Sequence, residues 1–296
     1  MVIAGGEVTS LRSPRIKAAR QLARRSARQR ARLFLAEGPQ AVREALSWPE
    51  GGLVTELFVT AAAQSRYRDL ADQAAGSGAA VHAVSGEVMA ELAQTITPQG
   101  LLAVCRFVDV PLERLTQGSL SASEAAGGSR GVVPPGAPES PRLVVLLANV
   151  RDPGNAGTVL RTADAAGADG VIFSDASVDP YNSKCVRASA GSLFHLPLVV
   201  GSSLQEATTA LRSAGLQILA ADGSAQRELD QLEADGGLGR PTAWLFGNEA
   251  WGLPADLLAL ADEAVAVPIY GRAESLNLAA AAAVCLYASA RAARRV

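Results

Sequence analysis

Three short stretches in the second half of this 296-residue chain place polar side chains at the ends of apolar runs. The first, "NVRDPGNAGTVLRTAD", passes from strand to helix through a turn where Gly154 and Gly157 allow close backbone approach and the helix start offers unsatisfied N–H groups. It carries Asn155 and Arg161. Asn155 reads either as a helix N-cap, worth about 1 kcal/mol, or as a site residue. Arg161 reads either as a partner of Asp164 three residues on, worth roughly 0.2–0.5 kcal/mol, or as a cation set in a site. The second stretch, "TAWLFGNEAWGLP", puts Gly247, Asn248 and Glu249 directly after a buried strand. A carboxylate there is either a helix-start charge or a placed site group. The third, "VPIYGRAESLNLAAAAAVCLY", brings Ser275 and Asn277 to the point where a strand's exit loop enters an Ala-rich helix. Ser275 serves there as an N-cap or as a site hydroxyl. No stretch has the G-x-G-x-x-G spacing of a dinucleotide site, although Asp175 could mimic the acidic group that reads a ribose.

The elements that position these loops follow from apolar periodicity. From residue 142 onward, "RLVVLLANV", "DGVIFSD", "LPLVV", "LQILAAD", "TAWLFG" and "EAVAVPIY" read as continuous apolar strands with helices between most of them. Such strands imply a parallel sheet covered on both faces, with ligands bound beyond the strands' carboxyl ends. Residues 15 to about 107 alternate more briefly. A basic helix over 15–31 precedes strand "RLFLAEG", a helix over 39–47, strand "VTELFVT", a helix over 66–76, strand "AVHAVS", a helix over 86–93 and strand "LLAVCRF". Between them, residues 108–141 are rich in Gly, Ser and Pro and read as a flexible linker. The expected division is 1–107, 108–141 and 142–296.

The bulk properties narrow the function classes. A hydrophobic content of 49% supports two ordinary cores, and no run of 18 apolar residues reads as a membrane span. The N-terminus lacks the apolar region of a secretory signal, so a cytoplasmic protein is expected. Cys105, Cys185 and Cys285 are far apart, with no C-x-x-C spacing, so neither a disulfide framework nor a metal site is expected. The net charge of −2 conceals an asymmetry: nine cations from Arg12 to Arg32, including Arg15, Lys17 and Arg24, precede Glu37 without an intervening carboxylate. This run is either a solvated helix face or a nucleic-acid footprint. The Ala-rich helix after Asn277 must pack at close range, against its own sheet or against another subunit.

Taken together and in order, the three stretches resemble the motifs of the SpoU (TrmH-like) class of S-adenosylmethionine-dependent RNA ribose 2′-O-methyltransferases, over residues 142–292. "FLAEGPQAVREAL" and "TPQGLLAVCRF" are similar to the small L30e-like substrate-binding domain that often precedes it. The resemblance implies an α/β fold: a doubly wound, mainly parallel sheet ending in a C-terminal trefoil knot, preceded by the small α/β domain, in a homodimer. It assigns Asn155, Arg161, Glu249, Ser275 and Asn277 to catalysis. Asn248 matches the second motif beside Glu249. The adenosyl group of S-adenosyl-L-methionine would be held at Gly247, Val267, Ile269 and Leu276, with Ala221 closing a neighbouring strand. In "DPYNSKCVRASAGSLFHLP", Lys184 and Arg187 are candidates for RNA phosphate contact, alongside the basic N-terminal segment.

Under this resemblance the reaction is an SN2 displacement in which the protein aligns the ribose 2′-oxygen and assists loss of its proton. A guanidinium stays protonated, so Arg161 is expected to hold a phosphate and polarise the hydroxyl, while phosphate or water accepts the proton. Structured RNA is the expected partner, ribosomal RNA ahead of transfer RNA. The alternatives are a transfer-RNA enzyme, an RNA-binding assembly factor without catalysis, and, more distantly, a nicotinamide-dependent oxidoreductase.

Overall fold

The alternation of strands and helices is realised in two separate sheets. The structure, a computed structural model, describes residues 6–116 and 141–294. It divides into two units, Met1–Phe107 together with Tyr181–Phe194, and Val108–Pro180 together with His195–Val296.

The first unit holds four strands, β1 (Leu33–Glu37), β2 (Val54–Val59), β3 (Ala80–Ala83) and β4 (Leu101–Arg106), in the order β1-β4-β2-β3. β4 runs antiparallel to β1 and β2, and β3 runs parallel to β2. Ile16, Ala19 and Leu22 pack with Leu35, Phe58, Met89 and Leu102 into one core. The single basic helix expected over 15–31 is instead two, Pro14–Gln21 and Arg25–Ala31. Arg28 explains the break: only 3% exposed, it donates to the carbonyls of Leu22 and Ala23, both at 2.9 Å. One cation of the basic run is therefore a structural brace.

The segment Tyr181–Phe194 belongs to this first unit, far from it in sequence. Aromatic packing gives the reason. Tyr181 stacks on Phe107 with centroids 3.8 Å apart and lies 4.8 Å from Phe34, which also stacks on Phe194. No local periodicity could indicate that a 14-residue excursion closes a core built from residues before 108.

The second unit begins earlier than residue 142. Within the expected linker, residues 108–116 are ordered: Val110 donates to the Leu198 carbonyl at 2.7 Å, and Leu115, in the helix Leu112–Thr116, is buried. The apolar pair Leu112 and Leu115, three residues apart, anchors this turn on the core. The remaining linker positions 117–140 lie outside the described residues.

The main sheet comprises β5 (Leu143–Leu147), β6 (Gly170–Ser174), β7 (Leu198–Ser202), β8 (Gln217–Ala221), β9 (Arg227–Glu228), β10 (Thr242–Phe246) and β11 (Glu263–Ala266). Their order is β7-β6-β5-β10-β8-β11-β9, with every pairing parallel. All residues of β5, β6 and β10 are buried, as strands covered on both faces must be. Counting from β5, later strands extend in both directions, so the order reverses between β5 and β10. A crevice beyond the carboxyl ends of such neighbours is where ligands bind in open α/β sheets. The helix Pro153–Ala166 follows β5, and the Ala-rich helix Leu278–Ala293 packs against it.

Candidate active site

The loops after β5 and β10 meet at this reversal through the Glu249 carboxylate. It accepts from the backbone N–H of Arg151 at 3.3 Å and of Asp152 at 3.2 Å, and from the Asn155 amide at 3.2 Å. Asn155 in turn accepts from the Asn277 amide at 3.0 Å. A continuous hydrogen-bonded chain, Glu249 to Asn155 to Asn277, thus joins residues separated by as many as 122 positions. Beneath it, the buried Asn248 donates to the Asn149 carbonyl at 2.8 Å and accepts from the Ala250 N–H at 2.8 Å. Asn149 takes a left-handed φ of 57°, one of the few residue types that do so readily.

Helix capping falls on other residues than expected. Asp152, with Pro153 at the first helical position, caps the helix after β5 by accepting from the Asn155 N–H at 2.8 Å. Asn277, not Ser275, caps the last helix by accepting from the Ala279 N–H at 2.9 Å. The Asp-Pro pair is itself an N-terminal signal that could have identified the first cap from sequence. Asn155 is thereby free to use its side chain between motifs.

A cavity of about 260 Å³ opens beside this chain at the ends of β8, β10 and β11. Ala221, Gly247, Val267, Ile269 and Leu276 all line it, as do Glu249 and Ser275. Gly247 is there because nothing larger fits. A Cβ on it would lie 2.5 Å from the Gly252 backbone and 2.7 Å from Leu253 Cγ. The Gly252 N–H and carbonyl bond back to Asn248 at 2.9 Å each, so this turn is tied to the strand end.

Arg161 stands apart. It is exposed on the helix Pro153–Ala166, does not line the cavity and makes no hydrogen bond or ion pair to a described residue. The expected local partner, Asp164, accepts instead from His195 Nδ1 at 2.7 Å. In the first unit, Lys17 and Arg24 are exposed, Arg15 pairs with Glu56 at 3.1 Å, and Arg187 pairs with the nearly buried Glu37 at 3.3 Å. Arg187 thus ties the 181–194 segment to β1, and Lys184 on the same segment is exposed. Burial pushes the Cys285 thiol up to about 12 and raises Cys105 as well, so neither is a nucleophile. Among the described residues, no cluster of His, Cys, Asp and Glu could hold a metal ion, and no helix is long and apolar enough to cross a membrane.

Comparison with known proteins identifies the family. Residues 142–287 match the SpoU rRNA Methylase family, and residues 13–103 match an MRM3-like substrate binding domain. The 23S rRNA (guanosine(2553)-2′-O)-methyltransferase RlmP of Bacillus subtilis is 32% identical over 284 residues, covering 95% of this chain and 98% of that protein. The chain belongs to the SpoU rRNA methylase family. It is thereby an RNA methyltransferase whose methyl donor is S-adenosylmethionine. A solved structure, the AdoMet-bound rRNA methyltransferase from Sinorhizobium meliloti, superposes with a TM-score of 0.76 at 30% identity, over 97% of each chain. The tRNA (guanosine(18)-2′-O)-methyltransferase of Thermus thermophilus is 37% identical over 157 residues, 51% of this chain and 75% of that enzyme.

The lining of the cavity is chemically compatible with an adenosyl group. Ala221, Val265 and Leu278 give apolar walls, suited to an adenine ring. Residues 268–276 make no backbone–backbone hydrogen bond to a described residue, leaving donors and acceptors at Ile269 and Leu276 available.

Proposed function

We propose that this SpoU-family chain methylates the 2′-oxygen of one ribose in ribosomal RNA. The observation that carries this reading is the hydrogen-bonded chain from Glu249 through Asn155 to Asn277, set beside a cavity lined by Ala221, Gly247, Val267, Ile269 and Leu276. Gly247, Val267, Ile269 and Leu276 would hold the adenosyl group by main chain, with Ala221 against it. S-Adenosylmethionine, when bound, supplies a methyl group on a sulfonium, the electrophile for displacement by the ribose oxygen.

The chain's own residues do the positioning. Glu249 fixes the loop after β5 by its two backbone bonds and fixes Asn155 by a third, so the start of the helix that carries Arg161 is set by the β10 loop. Arg161 lies six residues beyond Asn155, about 9 Å along the helix axis. Exposed and unpaired, its planar fork is available to hold the phosphate beside the target ribose and to polarise the 2′-hydroxyl. The guanidinium stabilises developing alkoxide charge, and phosphate or water takes the proton. Ser275, exposed on the cavity rim, and Asn277 orient the ribose from the third loop.

Ribosomal RNA is favoured because the similarity to the 23S rRNA enzyme spans both units, whereas that to the transfer-RNA enzyme is confined to about half of the chain. The first unit is read as the RNA grip, with Lys17, Arg24 and Lys184 on its surface, and the catalytic half as a cytoplasmic homodimer. Val284 and Tyr287, 43% and 45% exposed on the last helix, give the second copy an apolar surface to cover. The trefoil knot, with residues after β11 threaded through a loop, completes the reading on family resemblance.

Arg161→Lys keeps the charge and loses the fork. Single-turnover transfer of labelled methyl to a 23S rRNA transcript should fall by at least tenfold; a rate near wild type refutes the role given to Arg161.

A further inference from the structure

The first unit contains a cavity of its own that the methyl-transfer site does not use. It encloses about 490 Å³, within the size range of small-molecule sites, roughly 300–1,000 Å³. Its lining includes Thr60, Arg66, Tyr67, Met89, Pro98 and Gln99. One wall is rigid: a Cβ on Gly100 would lie 2.5 Å from Thr60 Oγ1, and the Thr60 N–H donates to the Gly100 carbonyl at 3.0 Å. The residues projecting from it are of another kind. Arg66 and Gln99 are exposed, Tyr67 is half-buried, and the Arg66 guanidinium lies over the Tyr67 ring, its carbon 5.4 Å from the ring centroid, in a cation–π contact. None of the lining residues is acidic, and Arg66 has no carboxylate partner among the described residues.

A planar aromatic ring, a guanidinium paired with it through its π face but with no carboxylate partner among the described residues, and an exposed primary amide form a set that recognises an unstacked base with its phosphate. We propose that this cavity receives one unpaired nucleotide of the RNA substrate. The base stacks on Tyr67, Arg66 meets the flanking phosphate, and the Gln99 amide reads the base edge. The inference rests on the RNA-methyltransferase reading above and adds to it where the first unit discriminates looped from paired RNA. An A-form duplex keeps its bases stacked and presents no such group.

Binding of a 23S rRNA transcript to the full chain, measured at several salt concentrations, tests the site. Tyr67→Ala should weaken binding about tenfold, the loss typical of one base–aromatic stack, while Tyr67→Phe stays within twofold. Arg66→Gln should lower the slope of log affinity against log salt by about one. Calorimetric binding of S-adenosylmethionine should match wild type in all three variants, because its site lies in the second unit, and unchanged circular dichroism should show that the first unit stays folded. With 4-thiouridine in the transcript, photocrosslinking should mark the peptide carrying Tyr67. Wild-type affinity in both Tyr67→Ala and Arg66→Gln, or a crosslink confined to other peptides, overturns the pocket while leaving methyl transfer standing. A wild-type protein that binds the transcript with these variant effects but transfers no methyl group overturns the catalytic reading and leaves the pocket standing. Failure of the wild type to bind either the transcript or total transfer RNA overturns both.

Discussion

Removing the Asn155 side chain severs the chain between the three motifs at its middle. Asn155→Ala loses one bond to the Glu249 carboxylate at 3.2 Å and one from the Asn277 amide at 3.0 Å. Each is partly solvated, so each contributes about 0.5–1.5 kcal/mol, the ordinary net range, rather than a buried charge-assisted value. If the chain holds the reacting geometry, the loss is about 2 kcal/mol of transition-state stabilisation, or roughly 30-fold in single-turnover methyl transfer. A cycle with Asn277→Ser isolates the bond from the cap, because serine still caps the last helix but is too short to reach Asn155. The two single variants together should overstate the double variant by about fivefold, a coupling of about 1 kcal/mol. Methyl transfer within twofold of wild type in Asn155→Ala, or strictly multiplicative effects, would refute the idea that these residues act as one unit.

Gly247→Ala forces a Cβ to within 2.5 Å of the Gly252 backbone, so the β10 loop must move; calorimetry should show S-adenosylmethionine affinity down at least tenfold with far-ultraviolet circular dichroism unchanged. Ser289→Ala leaves the fully buried Trp244 indole N–H, now bonded to Ser289 Oγ at 2.9 Å, without a partner, and should cost about 1–3 kcal/mol in denaturant unfolding. Burial, then the Arg15 charge, hold the His82 pKa below its usual 6.5 against the opposing pull of Glu56. The native state therefore binds fewer protons at this site than the unfolded chain, and its contribution is present above pH 6.5 and lost as pH falls below it. Thermal melts from pH 7.5 to 5 should decline less steeply in His82→Gln than in wild type.

What could be read from sequence was whatever local pattern encodes. β5, β6, β8, β10 and β11 each coincide with an apolar run, and a parallel sheet directed attention to the loops that meet at Glu249. The split basic helix was not legible, since Arg28 looks like its neighbours until its guanidinium is seen on the carbonyls of Leu22 and Ala23. Nor was the assignment of Tyr181–Phe194 to the first unit, which depends on Tyr181 finding Phe34 and Phe107 across long sequence separations. For Asn155 and Ser275, local capping rules pointed to neighbours' roles: Asp152 and Asn277 hold the caps, and what Asn155 does follows only from the positions of Glu249 and Asn277. The isolation of Arg161 from Asp164 likewise depends on His195, brought to Asp164 from beyond β6.

The site is proposed to methylate a ribose oxygen. Incubation of the full chain with 23S rRNA transcript and labelled S-adenosylmethionine, followed by alkaline hydrolysis, tests it directly, because a 2′-O-methyl group blocks cleavage at its own phosphodiester. Label should appear in a single alkali-resistant dinucleotide and fall at least tenfold with Arg161→Lys. Label released in mononucleotides, which places the methyl group on a base, would contradict it.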